Sequence, residues 1–227
     1  MKPTATRERI LDAAERLFAE RGYDGASLRA ITGQARVNLA AVNYHFRSKR
    51  ALMRAVFARR LEPLNQKRLA LLETCMAARA NGPPDLERLV EALVAPAFRM
   101  GEQSTGDAAA LRKFMGWVLV DPGVQIERVL AEQFHEVALH FVAAFRRALP
   151  DLPPEELFWR IHFSIGAMAS VLTGAPFLKI ASGGRLDTSD VDGVVQRLVA
   201  YISGGLRAPL ASGRRRRRGP PGGSGAS

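Results

Sequence analysis

Apolar residues recur along this chain at the three- and four-residue spacing of an amphipathic helix, and runs with strict period-two alternation are missing. Ile10, Ala14, Leu17 and Phe18 share one face of a helix predicted over 6–21, with Gly22 as its stop. Two short helices over 27–35 and 39–46 follow, then a longer one over 48–60. Pro63 is expected to open a further helix reaching 80. Asn81, Gly82, Pro83 and Pro84 break it, and Asp85 suits the N-cap of the next helix, which Pro96 is expected to kink. Loops are expected over 101–106 and 121–123. A long helix over 124–149 ends against Pro150, Pro153 and Pro154, and the last two helices are predicted over 155–178 and 189–207. Past Pro209 the chain is Gly, Pro, Ser and Arg and is expected to be disordered. The fold class is therefore all-α.

Residues 25–46 carry the most specific pattern. Leu28, Ile31 and Ala35 make the apolar face of one short helix, and Val42 and Phe46 that of the next. Arg36, Val37 and Asn38 form the turn between them, and Val37 is apolar where a turn is normally polar, so it is expected to point inward and lock the pair. Two short helices around such a plug make a helix-turn-helix. The outward face of the second helix holds Leu39, Ala40, Asn43 and Tyr44, with Ala41 beside them, and no charge. Small and flat residues of this kind allow close approach to base edges and thymine methyls. Asn38 and Ser27 are placed to cap their helices, and Ser48 and Lys49 stand where the next one starts, a place that attracts phosphate.

Charge sharpens this. The net charge is +11, and residues 1–60 hold 13 Lys/Arg against 5 Asp/Glu. Residues 61–213 hold 15 against 17, and Arg214–Arg218 add five more positive charges at the tail. The first quarter reads as a polyanion-binding module joined to a near-neutral domain. The arginine run reads as a solvated tail, or as extra non-specific affinity for DNA. The single cysteine, Cys75, rules out an intrachain disulfide and reads as a small buried hydrophobe. With no span-length apolar run and no signal-peptide pattern, a cytoplasmic, nucleoid-associated protein with no membrane partner is expected.

The stretch from Ser27 to Leu52 resembles the TetR family of transcriptional repressors, on Tyr44-His45-Phe46 followed by Ser48-Lys49-Arg50-Ala51-Leu52. The opening helix with Phe18, then Gly22-Tyr23 and Ser27, is similar too. The resemblance implies DNA contacts at Ser27, Arg29, Asn38, Leu39, Ala40, Ala41, Asn43, Tyr44, His45 and Lys49. Three positions depart from the family pattern. Arg36 stands where glycine is usual, Asn43 where an aromatic is commoner, and Arg50 where an acid is usual. The expected layout is a helix-turn-helix domain over 1–48, a connecting helix over 49–62, an effector-binding and dimerisation domain over 63–208 and a basic tail over 209–227.

The same resemblance implies a homodimer on the last two long helices, bound to palindromic double-stranded operator DNA and released by a small-molecule effector. Phe158, Ile161, Ile165, Met168 and Leu172 form one stripe, and Val191, Val195, Leu198 and Ile202 another. A bundle within one chain would produce the same stripes. Phe98, Phe114, Trp117, Val118, Phe134 and Phe141 each read singly as ordinary core; together they would line an apolar pocket where the family's inducers bind. Arg99, Arg112, His135 and His162 are candidates for a polar contact to an acyl head group. Residues 37–64 and 157–163 are similar to a fatty-acid-sensing branch of the family.

Other classes fit less well. His135, Glu136 and His140 hint at a metal face on a helix, but further ligands at set spacing, a phosphate loop and a nucleophile elbow are all missing. No catalytic residue, metal or cofactor is expected. An architectural DNA-coating protein would carry positive charge along its whole length, unlike the near-neutral middle here.

Overall fold

The computed structural model describes residues 3–79, 82–100 and 123–210, and among them the regular structure is helical with no strand. In order these helices are α1 (Pro3–Gly25), α2 (Leu28–Ala35), α3 (Leu39–Phe46), α4 (Lys49–Ala77) and α5 (Leu86–Phe98), then α6 (Gly123–Ala148), α7 (Pro154–Leu172), α8 (Pro176–Ala181) and α9 (Val191–Arg207). Short polar residues set several of the starts. Ser27, Asn38, Ser48, Asp85 and Asp190 each accept a hydrogen bond from a backbone N–H three residues on, at 2.9 to 3.1 Å. Each cap satisfies a donor that the helix cannot, and contributes about 1 kcal/mol. Gly22 interrupts α1 in a left-handed conformation (φ 69°) that favours glycine, so the expected stop is a sharp bend followed by one more turn.

Packing builds two joined halves around one continuous apolar core. In the first, α1 covers α2 and α4, and α3 closes against α2 and α4. Ile10, Leu11, Phe18, Ile31, Val42 and Leu52 are almost fully excluded from solvent there. In the second, α5 and α6 pack on α4, and α9 packs on α5 and α7.

Two expected boundaries move. Pro63 does not start a helix: α4 passes straight through it as one element of 29 residues. An interior proline loses one hydrogen bond and crowds the carbonyl four residues back, at roughly 3 kcal/mol. The buried run Leu52, Val56, Phe57, Leu61, Leu64 and Leu72 offsets that by keeping one apolar stripe against α1 on one side of Pro63 and α5 and α6 on the other. The helix expected over 155–178 instead breaks after Leu172. Pro176 cannot continue it, and Gly174 (φ 95°) and Ala175 (φ 43°) turn the chain before α8 begins. Pro96 lies in the last turn of α5, which ends two residues later.

Arg160 fastens the far end. It is buried on α7, and its Nη1 donates to the carbonyls of Leu206 (2.8 Å) and Ala208 (2.7 Å) while its Nε donates to Glu156 (2.9 Å). A cation on the last carbonyls of α9 complements that helix's dipole and locks α7 to α9. Cys75 is half-buried near the end of α4, where its thiol donates to the Arg88 carbonyl at 3.6 Å. Burial pushes this thiol above its ordinary pKa. No helix among the described residues is long and apolar enough to cross a membrane.

Candidate nucleic-acid interface and ligand cavity

The turn between α2 and α3 is held in a demanding conformation. Arg36 is left-handed (φ 52°, ψ 48°), as the glycine-favouring position requires, and its carbonyl accepts a hydrogen bond from Arg9 on α1 at 2.8 Å. Val37 packs half-buried against the core, which is the inward plug expected of it. With Val42 and Phe46 turned inward, α3 leaves its other face open: Tyr44 is 79% exposed and Leu39 44%, while Ala40 and Asn43 are exposed and Ala41 and His45 half-buried. Ser27, the cap of the neighbouring α2, and Arg29 on that helix are exposed. Lys49 lies at the start of α4, with its ammonium 4.4 Å from the Tyr23 ring centre and 3.5 Å from the Asp24 carbonyl. The ten residues singled out in the sequence thus lie at the caps of α2 and α3, on those two helices and at the start of α4.

Ion pairing decides how much of the basic charge stays available. Arg59 bonds Glu8, Asp12 and Glu15, Arg60 bonds Glu15, and Arg54 bonds Glu132. Those charges bind α1 and α6 to α4. Arg29, Arg36, Arg47 and Arg50 are exposed, and among the described residues no carboxylate pairs with them. Uncompensated positive charge therefore gathers around α2, α3 and the start of α4, the arrangement that favours a polyanion.

The stripes expected at a dimer contact lie elsewhere. Met168, Leu172, Val195, Leu198 and Ile202 are buried within the single chain, and Ile161, Ile165 and Val191 are half-buried. Phe158 alone of that set is exposed, at 59%. Periodicity identified the face of α7 that meets its own core. Two residues further round, about 200° at 100° per residue, a second apolar seam faces outward. Trp159 and Phe163 stack there at 5.8 Å, each at least 60% exposed, and Tyr201 of α9 is also exposed.

Between α4, α5, α6 and α7 lies a cavity of about 220 Å³. Phe134 and Phe141 line it, with Met100, Phe145, Ile161 and Ile165. Phe98 is buried in the core but is not part of the cavity wall. Phe114, Trp117, Val118 and Arg112 lie outside the described residues, as do the 101–106 loop and the Arg214–Arg218 run. Arg99 is bonded to Asp192 at 2.8 Å, and His135 and His162 are exposed, so these three head-group candidates are not cavity residues. Among the described residues the charged group in the wall is Arg68, which the sequence reading missed. Its signal was present: Arg68 falls four residues after Leu64 and four before Leu72, a charge on a buried seam. Among the described residues no group of three metal-ligating side chains converges.

A model of the bacterial regulatory proteins of the tetR family matches residues 10–56. A second, the tetracyclin repressor-like C-terminal domain, matches 91–205. The transcriptional regulator SrpR of Pseudomonas putida is 42% identical over 59 residues, 26% of this chain and 28% of that one. The transcriptional repressor AcnR of Corynebacterium glutamicum is 40% identical over 55 residues, 24% of this chain and 29% of that one. The chain thus matches little more than a quarter of the length of either relative. Over the whole fold, HlyIIR, a hemolysin II transcriptional regulator, superposes with a TM-score of 0.56 at 16% identity, covering 89% of this chain and 99% of that one. FadR from Bacillus subtilis, crystallised with stearoyl-CoA, gives 0.57 at 14% identity, covering 87% and 98%. With a matching model on each half, the chain belongs to the tetR family of bacterial regulatory proteins.

Proposed function

We propose that two copies of this chain bind a palindromic operator through α3, and that a small apolar effector in the cavity releases them. The observation that carries this reading is α4. One uninterrupted helix begins under the reading head, at the Ser48 cap and Lys49, and some 30 Å further on carries Leu64 and Arg68 into the cavity wall. An effector that favours one tilt of this rod would move both recognition helices away from their groove spacing, and only by as much as it binds the two tilts differently.

On this reading residues 1–48 form the DNA-binding unit, with 49–62 the connection and 63–208 the effector and dimer domain. Leu39, Ala40 and Tyr44 meet base edges, Asn43 and His45 flank them, and Ser27, Arg29, Asn38 and Lys49 hold phosphates. The dimer forms on the outward faces of α7 and α9, where Trp159, Phe163 and Tyr201 are each exposed and Gly166 and Gly204 leave room for a facing helix. Two recognition helices would then sit about 34 Å apart, one turn of DNA. The protein would act on the chromosome, in the cytoplasm.

Selection of bound sequences from a random DNA pool tests this. A site with two inverted half-sites is expected, and no enrichment counts against the reading. On the selected site, Lys49→Ala should lower affinity and reduce the salt slope by about 1, whereas Tyr44→Ala should weaken binding by about 1–3 kcal/mol and relax one base position. Unchanged affinity in both would remove this face from the interface.

A further inference from the structure

Among the described residues the cavity wall holds one positive charge and no negative one to meet it. Of the fifteen described residues that line the cavity, fourteen are apolar and the other is Arg68. Its side chain is 3% exposed. Nε donates to the Leu93 carbonyl at 2.8 Å, and Nη1 reaches Asn65 Oδ1 at 3.5 Å. Asn65 cannot turn away, because its Nδ2 donates to the Gln133 carbonyl at 2.7 Å and so aims its oxygen at Arg68. The guanidinium carbon lies 5.9 Å from the centre of the Phe134 ring. A guanidinium has five N–H donors, and most of these have no acceptor among the described residues.

Such an arrangement is costly in the empty protein. A buried charge normally has a partner, and a neutral amide would fasten α4 to the Leu93 carbonyl without burying one. Burial pulls the Arg68 pKa down to about 10, so it is still cationic at neutral pH. The size of the space adds a second limit. A cavity of roughly 150 Å³ takes benzene, so one of about 220 Å³ takes a body of roughly nine non-hydrogen atoms.

We infer that the effector is a monocarboxylate with a compact apolar body, its carboxylate on the free Nη donors of Arg68 and its body among Phe134, Phe141 and Phe145. Planar, forked donors suit a carboxylate in particular. Among the described residues the wall offers Arg68 as its cation, which suits a ligand with a single negative charge. This rests on the reading of the cavity as the effector site and adds the chemistry of its occupant.

Calorimetry and thermal shift on the full chain test it with octanoate, octan-1-ol and methyl octanoate. Burial alone favours the two neutral compounds, so a preference for the acid needs a counter-ion. Octanoate is expected to bind at least tenfold more tightly than either. In Arg68→Met that preference should fall below about twofold while octanol binding persists, and Arg68→Lys should keep part of it. Equal binding of acid and alcohol by the wild type, or an undiminished preference in Arg68→Met, overturns the role of Arg68 and leaves the effector cavity standing. If none of the three binds and none releases operator DNA, the cavity reading fails and takes this inference with it. The wild-type comparison decides the matter even if Arg68→Met does not fold.

Discussion

Arg36 occupies a backbone conformation that costs a side chain roughly 1–2 kcal/mol and glycine almost nothing. The hydrogen bond from Arg9 goes to its carbonyl, so it survives a change of side chain. Arg36→Gly should therefore raise stability by up to ~1 kcal/mol, seen as a higher urea midpoint with an unchanged slope; a lower midpoint would show that the side chain itself stabilises the turn. A second single-residue case is Glu87, whose carboxylate is paired with Arg207, with one contact at 2.8 Å. That guanidinium holds the Glu87 carboxyl at about 2, below its value of about 4.3 in an unfolded chain. The pair therefore contributes fully above about pH 4 and loses its contribution as pH falls toward 2. Both partners are about half exposed, so the contribution at neutral pH is below ~1 kcal/mol. Glu87→Gln should lower the melting temperature slightly at pH 7. The gap should close on acidification and shrink in 1 M salt; a gap that widens in acid would contradict this.

At the level of elements, Pro63 stands in the interior of the one helix that joins both halves. Pro63→Ala restores a backbone hydrogen bond to the Arg59 carbonyl and removes the ring's crowding, so unfolding should cost ~1–3 kcal/mol more in a denaturant titration. No gain would mean that α4 is packed around the proline's shape. The same residue explains what sequence could convey. Caps and apolar stripes are local signals, and α2, α3, α5 and α6 stand within one or two residues of their predicted limits. Whether a proline ends a helix depends on what packs against both sides of it, which is distant in sequence. Pro63 is carried along by α1, α5 and α6, whereas Pro176 follows Gly174 and Ala175 and ends up in a separate short helix.

The molecule as a whole has two apolar surfaces to account for on α7, and among the described residues one is buried while the other is exposed. Periodicity finds a stripe but carries no label saying whether its partner is the same chain or another. The inward stripe was therefore legible, and the outward one, built on Trp159 and Phe163, was not. The polar face of α3 was legible because helix-turn-helix chemistry is local, while the cavity depends on four helices meeting. Phe163→Glu places a charge on the outer seam without touching the core, since Phe163 is 64% exposed. If the proposed dimer forms on this seam, light scattering should report monomers for Phe163→Glu at concentrations where the wild type pairs, with operator affinity falling in step. A Phe163→Glu protein that stays dimeric would move the contact elsewhere.

Cys75, the single thiol of the chain, sits on α4 beyond Arg68. In a two-fold assembly a nitroxide there would yield one pair of spins, both on the rod thought to tilt, with no residue replaced. Because burial holds this thiol in its protonated form, coupling will be slow at neutrality and should be run under mild alkali. Pulsed dipolar spectra with and without octanoate would then read the swing directly in ångströms.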